Sequence, residues 1–193
     1  MRRTHHLVVA LALLAGCGAA AGESADSSAP PALLPLADGN RWVLRDVESS
    51  STTTVSVDRT SAGLVLRDIP GAAELRVRAV GAAVQAWDPA AGRWEPFLRL
   101  GAAAGTRYAV DLTRAPLWRS LRVTVASREA IVHDARGKTL RNCVKLTFRS
   151  LKPVADAGLE ELTFAPGIGL VRTVETTIAG PREHVLASLR LRP

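Results

Sequence analysis

Hydrophobic and polar positions alternate with a period of two along most of this chain. In "TTTVSVDRT", Val55 and Val57 alternate with Thr54, Ser56 and Asp58. In "AAELRVRAV", Leu75, Val77 and Ala79 oppose Glu74, Arg76 and Arg78. In "SLRVTVAS", Leu121, Val123 and Val125 oppose Arg122 and Thr124, and in "RNCVKLTFRS" Val144, Leu146 and Phe148 oppose Cys143, Lys145, Thr147 and Arg149. The C-terminal "HVLASLRLR" sets Val185, Ala187, Leu189 and Leu191 against His184, Ser188, Arg190 and Arg192. A period of two predicts strands with one face in a core and one in water. Turn-forming clusters separate them at short intervals: "SAG", "IPG", "DPAAG", "ARG" and "AG". The fold class expected is mainly β, an antiparallel meander forming a sandwich or an open half-barrel. "LTRAPLWRSL" has room for one helical turn and no more.

The pattern breaks at the N-terminus. Arg2 and Arg3 precede the uncharged run Leu7 to Ala15, which is too short to span a bilayer as a helix, since that takes ~20 residues. It fits a secretory signal peptide ending in small residues. Leu14-Ala15-Gly16-Cys17 resembles the lipobox of bacterial lipoproteins. That resemblance implies cleavage between Gly16 and Cys17 and lipidation of the Cys17 thiol. Residues 18–35, rich in Ala, Gly, Ser and Pro, have linker composition. The organisation expected is a signal-peptide helix at 1–16, a lipidated cysteine and flexible tether at 17–35, and a single β domain at 36–193. Such a protein is lipid-anchored in the cell envelope. Gly18, where aspartate would imply inner-membrane retention, points to the periplasmic face of the outer membrane if the organism is Gram-negative.

In "LTFAPGIGLVRTVE", a strand ends at Phe164 and another begins at Leu170. Pro166, Gly167 and Gly169 lie between them. Proline cannot donate to a ladder and glycine accepts positive φ, so a structural turn or bulge is expected. "LPLADGNRWVL", "RNCVKL" and "FAPGIGLVRTVE" together resemble stretches found in the same order in bacterial exported lipoproteins of uncharacterised function. Ile168 and Arg172 depart from the valine and lysine usual there. The resemblance implies a mainly β domain and brings no substrate, cofactor or catalytic residue.

The net charge is +7, and only three of the 25 basic residues are lysine (Lys138, Lys145, Lys152). The arginines are scattered, with no aromatic-interleaved stripe, so nucleic acid is not an expected partner. Once Cys17 is lipidated, Cys143 is the one free thiol. It shares its predicted face with Arg141, Lys145 and Arg149, and cations favour thiolate. The alternative is a covered structural cysteine, and this is the preferred expectation. His133 and His184 lack a ligand partner at a recognised spacing, so neither a metal nor any other cofactor is expected. Trp42, Trp87, Trp94, Phe97 and Trp118 suit core packing, or a concave face for a lipid or a glycan ring.

These features predict a non-catalytic binding or structural domain. Its membrane contact is the N-terminal lipid, and its partner is an envelope protein, a glycan or a lipid. One alternative is a carrier holding a hydrophobic ligand in a half-barrel. Another is a thiol-dependent enzyme using Cys143.

Overall fold

The structure, a computed structural model, describes residues 32–152 and 158–192. The signal peptide, Gly16, Cys17 and most of the tether lie outside the described residues. The described residues form twelve strands: β1 Arg41–Asp46, β2 Thr52–Thr60, β3 Gly63–Ile69, β4 Ala72–Val80, β5 Ala83–Asp88, β6 Arg93–Leu98, β7 Arg107–Val110, β8 Leu121–His133, β9 Thr139–Ser150, β10 Gly158–Ala165, β11 Gly169–Thr177 and β12 Gly180–Arg190. One turn of 3-10 helix covers Pro116–Trp118. No described helix is long and apolar enough to cross a membrane.

All twelve strands belong to one antiparallel sheet, ordered β6-β5-β4-β3-β2-β1-β12-β11-β10-β9-β8-β7. The architecture is therefore a curled, nearly closed barrel and not a sandwich. Its two edges, β6 and β7, meet without a ladder. Pro96 lies in β6, where a missing N–H costs no pairing because the strand is an edge. The seam is closed by side chains instead. The Arg99 N–H donates to the Tyr108 hydroxyl at 3.1 Å, and that hydroxyl donates to the Phe97 carbonyl at 3.4 Å.

The alternation of the sequence becomes the two faces of the wall. Trp42, Leu44, Val55, Val57, Leu75, Val77, Val123, Val125, Leu146, Leu162 and Phe164 are buried inside. Arginines and glutamates stand outside, where Glu161 joins Lys145 (2.9 Å) and Arg172 (2.5 Å), and Arg172 reaches Glu183 (2.7 Å).

One face is assigned differently from the sequence pattern. The pairing of β1 with β12 slips between Val43 and Leu44, leaving Ala187 as an extra residue in β12. This bulge reverses the alternation on its N-terminal side. Leu186 and His184 therefore face inward, and Val185 faces outward.

The two ends of the barrel differ. The segment between β7 and β8 folds over one end. Trp118 is fully buried there, with ring centroids 4.4 Å from Phe97 and 5.3 Å from Phe148, and its indole N–H donates to the Pro70 carbonyl at 2.7 Å. Asp88 pins this segment by accepting from the Thr113 hydroxyl at 2.5 Å. That bond holds the Asp88 carboxyl below its usual range, against the opposing effect of burial. Among the described residues, nothing caps the other end in this way.

Candidate functional site

The uncapped end holds a cavity of about 470 Å³. Its wall is built from three places. The hairpin between β4 and β5 supplies Ala79, Ala82 and Val84, and the seam loop supplies Leu100 and Gly101. Opposite them stand Asn142 and Val144 of β9, Arg128 of β8 and Pro166. Ala32, Leu33 and Leu34 run across the opening before β1 begins. Leu34 is 7% exposed, so the packed domain starts before residue 36. The lining is predominantly apolar, and its size lies within the ~300–1,000 Å³ typical of ligand pockets.

The three quoted sequence stretches meet here. The first explains itself through hydrogen bonds. Asp38 accepts the Arg59 N–H at 2.7 Å. Buried Asn40 donates to the Pro35 carbonyl at 2.8 Å and accepts the Arg192 N–H at 2.7 Å, tying both ends of the domain together. The Trp42 indole donates to the Ile168 carbonyl at 2.6 Å, which joins the first stretch to the third. Gly169 (φ +103°) lies against that indole, and the Gly167 (φ +70°) N–H donates to the Ala32 carbonyl at 3.0 Å. Pro166 lines the opening, Gly167 and Gly169 set the backbone beside it, and none of the three carries a titratable group. In the middle stretch, Asn142 adopts φ +55°, a left-handed conformation, where the pairing of β8 with β9 is irregular.

Cys143 follows that irregularity and is fully buried. The tip of the β8–β9 hairpin reaches β12 and β1. The Ala135 N–H donates to the Leu186 carbonyl, and Arg45 donates to the Ala135 carbonyl, both at 2.8 Å. Cys143 is buried although the sequence pattern puts it on a charged face. Burial pushes its thiol pKa up, the opposite of what thiolate chemistry needs. Its sulfur contacts the Arg141 carbonyl at 3.7 Å, and Lys145 is committed to Glu161.

The histidines do not converge. His133 is exposed beside the Thr139 hydroxyl at 3.2 Å. His184 faces the interior near the capped end, with Nε2 3.8 Å from Asp46 and Nδ1 3.5 Å from the Thr173 hydroxyl. The order hydroxyl, imidazole, carboxylate matches a nucleophile relay, but the distances exceed the ~2.6–3.2 Å that proton transfer needs. Thr173 is 1% exposed, and the adjoining cavity is only about 40 Å³. Asp46 is already engaged by the N–H groups of Ser49 and Glu48, and the Ser49 bond leads in holding its carboxyl below the ordinary value. Burial raises the neighbouring Glu175. Among the described residues no group of three or more His, Cys, Asp or Glu is arranged to hold a metal.

The tryptophans split by role. Trp42 and Trp118 are core. Trp87 and Trp94 pack edge to face at 5.6 Å on the outer wall, under the Arg76 and Arg78 guanidinium groups. None of the four lines the large cavity.

No family model matches the chain, and no curated protein does. Two solved structures are similar to it. One is a proposed exported protein with a YmcC-like fold from Bacteroides fragilis, 12% identical, covering 83% of this chain and all of that one, with a TM-score of 0.42. The other is a proposed lipoprotein from Parabacteroides distasonis, 14% identical, covering 83% of this chain and 99% of that one, with a TM-score of 0.36.

The residues missed by sequence reasoning are Ala79, Leu100 and Arg128. They come from β4, the seam loop and β8, and no local pattern links them. Arg128 interrupts the alternation after Val125, which was its single visible trace.

Proposed function

We propose that this chain is a lipid-anchored cell-envelope protein whose barrel binds a hydrophobic ligand, without catalysis. The observation carrying the reading is the apolar cavity at the uncapped end, bordered by residues 32–34, the end of the predicted tether. A barrel capped at one end and open at the other removes an apolar ligand from water while leaving an entry. Each methylene so buried contributes ~0.8 kcal/mol. The lipobox ending at Cys17 supports an anchor, and the raised pKa of buried Cys143 weighs against the thiol-enzyme alternative.

The test is fluorescence of N-phenyl-1-naphthylamine with purified full-length Cys17→Ser protein, which lacks its own acyl chains. The reading predicts saturable enhancement, reversed by hexadecanol and reduced by Ala79→Trp, which fills the opening from an exposed wall position. Absence of saturable enhancement contradicts it. A second reading, docking of an envelope glycan or protein, rests on the Trp87–Trp94 face with Arg76 and Arg78. It predicts that Trp87→Ala abolishes partner binding without changing probe binding.

A further inference from the structure

Among the described residues, one charged side chain lines the cavity. Arg128 stands in its wall, and Nη1 donates to the Leu100 carbonyl at 2.7 Å and the Ala102 carbonyl at 2.9 Å. These bonds fix the guanidinium across the seam. Its Nε–H and Nη2–H groups have no protein acceptor among the described residues, and no described carboxylate lies within 4.0 Å of it. A half-buried arginine held by carbonyls and left without an anion keeps its charge, because guanidinium does not deprotonate in proteins. Carbonyls satisfy N–H groups but do not neutralise that charge. The polar side chain beside it in the lining is Asn142, held by its left-handed backbone at the irregularity of β9.

An apolar cavity with one unneutralised cation selects against a bare hydrocarbon and against a cationic amphiphile. It suits an acyl chain that ends in an anion. We propose that the uncapped end of the barrel takes a single-chain amphiphile with an anionic head, carboxylate or phosphate, and that Arg128 seats the head while Leu34, Ala79, Val84 and Val144 enclose the chain. The proposal rests on the hydrophobic-ligand reading above and adds the head-group chemistry. The fork of a guanidinium meets either oxyanion through two N–H groups, which a neutral alcohol cannot match.

The experiment displaces N-phenyl-1-naphthylamine from the full-length Cys17→Ser protein with palmitate, hexadecyl phosphate, hexadecanol and hexadecyltrimethylammonium, each below its micelle concentration. Palmitate and hexadecyl phosphate are expected to displace the probe at about tenfold lower concentration than hexadecanol, the effect of one charge-assisted hydrogen bond in a half-exposed site. The ammonium is expected to be weakest. Arg128→Gln should bring palmitate to the level of hexadecanol measured on the same variant, and Arg128→Lys should keep much of the preference. A wild-type protein that binds hexadecanol and palmitate equally overturns the head-group proposal and leaves the hydrophobic-ligand reading intact. A preference for palmitate that survives Arg128→Gln overturns the role of Arg128. Failure of all four to displace a bound probe overturns both. The wild-type comparison needs no variant, so a folding defect in Arg128→Gln does not shield the proposal. Which anion binds tighter separates a fatty-acid ligand from a phospholipid-like one.

Discussion

Substituting Gly169 with alanine perturbs the contact that joins β1 to the start of β11. Gly169 has φ +103°, where an L residue is strained at a cost of ~1 kcal/mol or more. The added Cβ would fall 2.7 Å from Cε2 and 2.8 Å from Cζ2 of Trp42, and closer still to Nε1. Trp42 is fully buried and cannot swing into solvent. Forcing such an atom into a packed core costs ~1–3 kcal/mol. If the indole shifts, its bond to the Ile168 carbonyl lengthens, and losing a buried hydrogen bond adds ~1–3 kcal/mol. These costs overlap, because one movement of Trp42 relieves the clash and breaks the bond. The expected loss is therefore about 3–4 kcal/mol, a sizeable part of the ~5–15 kcal/mol of a typical domain. Gly137→Ala, at φ +80° with nothing within 4 Å of the added Cβ, should lose only the backbone part, about 1 kcal/mol. Urea melts of both variants measure the difference. A double-mutant cycle with Trp42→Leu should show coupling above about 1 kcal/mol, because the smaller side chain makes room for the Cβ. Equal losses for Gly137→Ala and Gly169→Ala, or an additive cycle, would refute the assignment of Gly169 to the Trp42 contact.

Three other outcomes are expected. The Cys143 thiol should resist iodoacetamide in the native protein and react fully in urea, and rapid native alkylation at neutral pH would restore the thiol-enzyme alternative. Glu175→Gln should stabilise the domain at neutral pH. The raised folded pKa means that Glu175 favours folding below its unfolded pKa, near 4.5, and loses that contribution as pH rises through the folded value. The gain from the substitution should therefore fade on acidification, and urea midpoints at pH 4 and pH 7 that show no such trend would contradict it. Cys17→Ser in an expressing bacterium should leave an uncleaved or aqueous-phase protein on detergent partitioning, and normal cleavage with membrane partitioning would reject the lipobox assignment.

The fold was legible where one residue in two faces the core. Val55 and Val57, or Leu121, Val123 and Val125, needed no tertiary knowledge to be assigned inward. Legibility failed where the alternation slips. The sequence pattern puts His184 on the outer face because nothing in "HVLASLRLR" marks Ala187 as the bulged residue; the slip is imposed by pairing with β1. The sequence pattern puts Cys143 on a charged face, yet it is fully buried, next to the irregular pairing of β8 with β9. The choice between sandwich and barrel was open because inner faces of both have the same alternation. It is set by the neighbours of β1 and β12, residues at opposite ends of the chain. The cavity was invisible for the same reason: its walls come from β4, β8, β9 and the seam loop.

The central claim is that an acyl chain occupies the uncapped end of the barrel. Photolabelling with a diazirine-bearing palmitate, followed by mass-spectrometric mapping of the modified residues in the full-length protein, tests it most directly. The account predicts labels on residues 32–34, the Ala79–Val84 hairpin, Leu100 and Val144, removed by excess unlabelled palmitate. Labels confined to the outer Trp87–Trp94 wall, or labels that excess palmitate does not remove, would contradict it.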